Sequence, residues 1–218
     1  MITKVQLAGM IDHSLLKPQS TRTELKKLCT EAIQYKFKAV CINPVQVGDA
    51  ASFLKGSGVL ICSVVGFPFG THSAGVKAEE TKEVIKLGAR EIDMVIRIGA
   101  LKEGRNQEVV EDIHAVVEAA SGLPVKVILE TCYLTEEEKI RGCKLAVEAG
   151  ANFVKTSTGF GAAGATVENV NLMRKVVGDD IGVKAAGGIR TLADALKMIE
   201  AGANRLGTSG SVTIIQEL

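Results

Sequence analysis

"GANFVKTS", residues 150 to 157, joins the end of a helix to a short apolar strand. The chain writes the same phrase twice more, as "GAREIDMV" at 88 to 95 and "GANRLGTS" at 202 to 209. In each case Gly-Ala closes a helix, glycine being a natural residue just past the last turn, and a strand begins at once. The runs "AGMIDHS", "KAVCIN", "VLICSVVGF", "VKVILET" and "IGVKAAGG" extend the series to eight strands, each short, rich in Val and Ile and read as apolar on both faces, as buried parallel strands are. Amphipathic segments fill the gaps. Thr21 and Glu24 form a capping box before Leu25, Leu28, Cys29, Ala32 and Ile33. Thr135 and Glu138 cap a later helix, and Thr191 caps the one carrying Leu192, Ala195, Leu196 and Ile199. Strands alternating with helices predict an α/β protein, a single (β/α)8 TIM barrel over residues 1–218 with a short N-terminal helix. An open doubly wound sheet would favour a phosphate-binding glycine loop after the first strand; "DHSLLKP" stands there instead.

The three repeats also place side chains. Five positions after each glycine stand Asp93, Lys155 and Gly207. Alternate barrel strands feed one interior layer, so Asp93 and Lys155 are expected to converge, with Gly207 leaving open space beside them.

Composition narrows the field of functions. Lys plus Arg is 26 and Asp plus Glu is 25, so no basic footprint for nucleic acid or a membrane surface stands out. Five cysteines, at 29, 41, 62, 132 and 143, include no CxxC pair. A disulfide scaffold or structural zinc site does not fit them, and a cytoplasmic protein does. The N-terminus shows no signal peptide, and no run reaches the ~18 apolar residues of a transmembrane helix. His13, His72 and His114 form no HxH or HExxH pair, which disfavours a metal site.

Lys155 and Lys184 carry the chemistry. Both stand near the C-terminal ends of adjacent strands, where barrel enzymes keep their active sites, and small, hydroxyl-bearing or glycine residues follow each. A lone lysine has a pKa of about 10.4, so roughly one in 2,500 is a free amine at pH 7. Desolvation or a neighbouring cation lowers that barrier. Two close lysines supply the second effect, one staying charged and holding the other neutral for Schiff-base formation on a carbonyl. Spacing leaves open which is the nucleophile. Asp93 is the candidate proton shuttle and Asp12 the residue that holds the charged lysine; a plain salt bridge is the alternative for Asp12. Lys126 reads as a lysine that snorkels or pairs with a carboxylate, or that sits at the entry end of its strand. An anion site is expected on the loops after strands seven and eight, from Gly187 and Gly188 and from "GTSGS" at 207 to 211.

These residues have a family likeness. "IDHSLLKP" (11–18), "VCINP" (40–44), "EIDMVI" (91–96), "VKVILET" (125–131), "FVKTSTGF" (153–160), "VKAAGGIR" (183–190) and "RLGTSG" (205–210) closely resemble the deoxyribose-phosphate aldolase family, in order along nearly the whole chain. The resemblance implies a cytoplasmic class I aldolase of deoxyribose phosphate catabolism, a lyase acting on small phosphosugar and aldehyde substrates without metal or organic cofactor. It implies a homodimer or homotetramer with no nucleic-acid or membrane partner. It assigns Lys155 as the Schiff-base lysine, Lys184 as the second lysine, Asp93 as the proton relay and Asp12 as the residue orienting Lys184. Ser14 and Thr158 match hydroxyl positions near the sugar, and Gly187, Gly188, Gly207 and Ser209 the phosphate side. Some members carry a lysine where Phe160 stands and a serine where Gly210 stands, which implies a phosphate site resting on backbone N–H groups. Some carry a tyrosine in a C-terminal tail; this sequence ends "TIIQEL", which implies proton transfer by water or by the Asp93–Lys184 pair.

Overall fold

Eight parallel strands close on themselves in a computed structural model that describes residues 2–218. They are β1 (Ile11–Leu15), β2 (Ala39–Ile42), β3 (Leu60–Val65), β4 (Glu91–Val95), β5 (Val125–Ile128), β6 (Phe153–Lys155), β7 (Gly182–Ala186) and β8 (Arg205–Thr208). Each pairs with the next, and β1 pairs with β8 through Ile11 with Leu206 and Asp12 with Gly207. Helix α1 (Lys4–Ala8) precedes the barrel. The connecting helices are α2 (Arg22–Tyr35), α3 (Val47–Phe53), α4 (Ala74–Leu87), α5 (Ile98–Lys102), α6 (Asn106–Ala119), α7 (Glu136–Glu148), α8 (Val167–Val177), α9 (Leu192–Glu200) and α10 (Ser211–Gln216). The β4–β5 crossover thus holds two helices, α5 and α6.

The helix starts follow local chemistry. Thr21, Thr135 and Thr191 each close a full capping box, with Glu24, Glu138 and Asp194 at the third helical position. The repeated Gly-Ala links behave alike: Gly88, Gly150 and Gly202 have φ of 123°, 88° and 108°, a region that an L side chain rarely adopts.

Alternation along the strands divides the core. Outward residues such as Val40, Ile42, Ile92, Met94, Val127, Val154, Val183 and Leu206 pack against the helices in the main apolar cluster. Inside the barrel, Ala39, Cys41, Cys62 and Val64 of β2 and β3 form a second, smaller cluster with Leu16, Leu60 and Phe67. The remaining strands are not apolar on both faces as expected. Their buried charged residues are Asp12, Glu91, Asp93, Lys126, Lys155, Lys184 and Arg205. Ions replace the branched aliphatic layers that usually fill such a barrel, and they do so because each finds a partner of opposite charge there.

One further buried ion pair lies outside the barrel wall. Lys77 of α4 is fully buried; its Nζ donates to Asp112 Oδ2 of α6 at 2.6 Å and to the Val95 carbonyl at the end of β4 at 2.8 Å. Gly66 has φ of 60°, and a Cβ there would come within 2.8 Å of the Lys77 stem, so this lysine also demands a glycine in the loop after β3. Burial pushes the Lys77 ammonium down and the Asp112 carboxyl up, each against the pull of the other. Lys77→Met leaves an uncompensated buried carboxylate and is expected to cost about 3–5 kcal/mol, whereas Lys77→Met with Asp112→Leu recovers most of that loss. Thermal unfolding of the two variants measures the difference; equal midpoints for the single variant and the wild type would show that the pair does not fasten α4 to α6.

Candidate active site

The inward charges meet at one carboxylate. Asp93, fully buried on β4, has Oδ2 2.7 Å from Lys155 Nζ and 2.7 Å from Lys184 Nζ. Its other oxygen, Oδ1, accepts from Lys126 Nζ at 2.8 Å and from the Cys62 thiol at 3.0 Å. Register explains the meeting. Lys155 and Lys184 are direct partners across β6 and β7, and Asp93 is the partner of Lys126 across β4 and β5. All four side chains therefore share the barrel interior. Asp12, fully buried on β1, takes Lys184 Nζ in a short bond to Oδ2 and Arg205 at 2.8 Å on Oδ1.

The charges set one another's protonation. Burial by itself would raise the Asp93 carboxyl, but Lys126, Lys155 and Lys184 outweigh it and hold the group well below the usual carboxylate range. Asp12 is likewise lowered, against burial, by Lys184, Lys126 and Arg205. Burial would lower Lys184, but Asp12 and Asp93 raise it well above the ordinary lysine value. Lys126 is raised too, with Asp93 foremost against its burial. At neutral pH Asp93 is thus ionised and Lys184 carries its positive charge.

Gly207 is placed differently from the expectation. It belongs to β8, not to the loop after it, and it does not leave open space beside Asp93 and Lys155. A Cβ there would lie 3.0 Å from Lys184 Cε and 3.1 Å from Ala186 Cβ, so the missing side chain makes room for the Lys184 stem.

The other expected residues lie toward the mouth. The Ser14 hydroxyl, two positions along β1 from Asp12, donates to the Asp12 carbonyl at 3.2 Å. Thr158 is buried, its hydroxyl bonded to Glu130 and its N–H donating to Glu130 Oε2 at 3.2 Å. Gly187 and Gly188 follow β7 with φ of 85° and 80°. The Gly187 carbonyl accepts from the Ala165 N–H at 3.0 Å, and Gly164 crosses close by. Ser209 is exposed on the turn after β8. Thr208 Oγ1 donates to the Ile189 carbonyl at 2.6 Å and accepts from the Gly210 N–H at 2.9 Å, tying the β7 and β8 loops together. Phe160 is half-exposed and meets Phe67 edge-on, with 5.5 Å between ring centroids. Tyr35 accepts from Gln216 Nε2 at 3.0 Å, and Tyr133 is half-exposed on the loop after β5.

Three residues at this site, Glu91, Arg205 and Glu130, were not singled out by the sequence. Glu91 opens β4 and Arg205 opens β8, and only barrel closure brings them together. Lys126 pairs with carboxylates as expected, yet it does so from the centre of the barrel. Glu130 is buried in a left-handed conformation, φ 55° and ψ 66°, from which it reaches Thr158. Two sets of side chains have the proximity a metal would need, Cys41–Cys62–Asp93 and Asp12–Cys62–Glu91. Every carboxylate oxygen in them already accepts from an ammonium or guanidinium group. A metal ion would have to displace the protein's own cations.

Known proteins share this chain's pattern along its length. The profile of the DeoC/LacD family aldolase matches residues 7–213. The deoxyribose-phosphate aldolase of Carboxydothermus hydrogenoformans is 58% identical, the match covering 100% of this chain and 97% of the relative. That of Staphylococcus epidermidis is 57% identical over 97% of this chain and 96% of its own. Among solved structures, the tetrameric deoxyribose phosphate aldolase of Aeropyrum pernix superposes with a TM-score of 0.93 at 33% identity, covering 98% of this chain and 91% of that one.

The ion network has a signature in stability. Asp12 and Asp93 have folded pKa values below their unfolded ones, so their stabilisation is complete above about pH 4 and is lost as pH falls through the folded values. Lys126 and Lys184 are displaced upward, so theirs is complete below about pH 10 and is lost as pH rises through the folded values. Asp12→Asn is expected to lower the plateau and to flatten the acid limb by up to about 1.4 kcal/mol per pH unit. Denaturant unfolding at stepped pH measures that slope, and an unchanged acid limb would mean that Asp12 is not held ionised by its neighbours.

Proposed function

The chain belongs to the DeoC/LacD family of aldolases, and from that membership we propose that it is a class I deoxyribose-phosphate aldolase. It reversibly cleaves 2-deoxy-D-ribose 5-phosphate to D-glyceraldehyde 3-phosphate and acetaldehyde through a Schiff base on Lys155. The observation that carries this reading is the sharing of one Asp93 oxygen by Lys155 and Lys184 at the C-terminal ends of adjacent strands.

The open-chain sugar enters with its phosphate toward Gly187, Gly188 and Ser209, whose backbone N–H groups are the donors. The free amine of Lys155 attacks the C1 carbonyl; its carbon–nitrogen bond forms as the carbonyl oxygen takes a proton. Loss of that oxygen as water leaves an iminium ion. Lys184 supplies the proton to the departing oxygen and Asp93 accepts the one released by nitrogen. Removal of the C3 hydroxyl proton then breaks the C2–C3 bond. Its electron pair forms the C1–C2 double bond of an enamine, while the C1–N π pair moves onto the iminium nitrogen and neutralises it. C3 becomes the aldehyde of glyceraldehyde 3-phosphate. Protonation of the enamine at C2 and addition of water release acetaldehyde and restore the amine. Thr158, fixed by Glu130, and Ser14 flank the sugar; Asp12 holds Lys184 in place. Gly207 acts through Lys184 and not on the phosphate.

Residues 1–218 act as one catalytic barrel domain in this reading. Five free cysteines suit a reducing cytoplasm, and no helix among the described residues is long and apolar enough to cross a membrane. The near-balance of charge suits small-molecule substrates and not nucleic acid or a membrane surface. The tetramer of the Aeropyrum pernix relative supports a homo-oligomer, dimer or tetramer.

Borohydride reduction in the presence of acetaldehyde is expected to leave an ethyl group on Lys155, located by peptide mass spectrometry. Lys155→Leu abolishes both trapping and turnover, and Lys184→Met lowers turnover by about 10²–10⁴-fold. An adduct on another residue, or full activity in Lys155→Leu, would end the Schiff-base assignment.

A further inference from the structure

The ion pairs beneath the mouth close into a ring. Asp93 Oδ1 meets Lys126 Nζ at 2.8 Å, and Lys126 meets Glu91 Oε2 at 2.7 Å. Glu91 takes the Arg205 fork at 3.0 and 3.2 Å, and Arg205 reaches Asp12 Oδ1 at 2.8 Å. Asp12 binds Lys184, which returns to Asp93 Oδ2 at 2.7 Å. Charges alternate around this circuit, with three carboxylates, two ammoniums and one guanidinium. The ring is therefore electrically neutral when every member is ionised. Lys155 hangs outside it, joined through Asp93 alone among the described residues.

Every strand contributes to what faces this ring. β1 gives Asp12, β4 Glu91 and Asp93, β5 Lys126, β6 Lys155, β7 Lys184 and β8 Arg205. From β2 and β3, Cys41 and Cys62 donate to Asp93 as thiols. Below, Arg205 lies over the Phe153 ring, 5.5 Å from its centroid, and Gly182 has no side chain to crowd that ring. The guanidinium is thus fixed by an aromatic face as well as by two carboxylates. With the ring balanced, the protonated amine of Lys155 is one positive charge in excess within a buried cluster. Releasing its proton leaves the cluster neutral, whereas taking a proton from a ring cation would leave an anion unpartnered beside a surplus cation.

We propose that Glu91 and Arg205, which touch no reacting atom, are positioning residues that close this neutral ring, make Lys155 its one surplus cation and so set the pH range in which the imine forms. The proposal rests on Lys155 as the Schiff-base residue and deepens that reading by naming what makes its amine available.

Cyanoborohydride trapping of acetaldehyde on Lys155, followed against pH, gives the pH of half-maximal adduct formation. Glu91→Gln removes an anion while keeping shape, and the midpoint is expected to fall by on the order of one pH unit. Arg205→Met removes a cation, and the midpoint is expected to rise by a similar amount. Arg205→Lys keeps the charge and the midpoint. The double variant Glu91→Gln with Arg205→Met restores neutrality and returns the midpoint close to the wild-type value. A purely structural role would lower the yield of adduct without shifts of opposite sign. Shifts in the same direction, or an unmoved midpoint in folded Glu91→Gln, overturn the proposal. Should Arg205→Met not fold, the fall in Glu91→Gln and its reversal in the double variant decide in the same way. Adduct on a residue other than Lys155 overturns the Schiff-base reading instead, so the two failures are distinguishable.

Discussion

A single buried carboxylate, that of Asp93, accepts from three lysines, and the interior of this barrel is built around that fact. A carboxylate taken out of water is costly unless opposite charges and hydrogen bonds surround it. Three ammonium groups oversupply the need. They in turn require Asp12 and Glu91, and those anions require Arg205. Each charge justifies the next until the circuit returns to its start. Removing any one member by itself strands its neighbours in a low-dielectric interior, which is why the group behaves as a unit and not as a sum of pairs.

The network also explains the division of the barrel interior. β2 and β3 present Ala39, Cys41, Cys62 and Val64 inward, small apolar or weakly polar groups that form one wall. The opposite wall carries the ions. Water is kept from the charges by the strands themselves and by the apolar wall, which strengthens each ion pair. The glycines serve the same end. Gly207 makes room for the Lys184 stem and Gly182 for the Phe153 ring that backs Arg205. Small residues here are the counterpart of long charged ones.

Much of this was legible in the sequence, and the reason is local. Apolar runs of strand length, capping boxes at Thr21, Thr135 and Thr191, and glycines past helix ends are each read within a few residues. The convergence of Asp93 with Lys155 followed from equal spacing after Gly88 and Gly150, because repetition carries register information that one strand lacks. Glu91, Lys126 and Arg205 were not legible as a set. Their partners lie on other strands, from 33 residues apart in the Lys126–Asp93 bond to 193 in the Arg205–Asp12 bond, and only closure of β8 on β1 joins the ends. Glu130 was hidden for a different reason: it lies past the end of β5 in a left-handed conformation, where strand alternation no longer predicts a side chain's direction. Gly207 was misplaced because a glycine in a strand reads equally as free space or as space taken by a neighbour.

Spacing alone could not choose between the two lysines; their surroundings support the proposed assignment to Lys155. Lys155 and Lys184 are cross-strand partners, so strand register does not separate them. The count of anions does. Lys184 binds two carboxylates, Asp12 and Asp93, and Lys155 binds only Asp93 among the described residues. Neutralising Lys184 would break two buried ion pairs and open the ring, whereas neutralising Lys155 gives up one and leaves the ring whole. The proposed nucleophile is thus the lysine that the network can do without, and its neighbour is the one that holds Asp93 and Asp12 together.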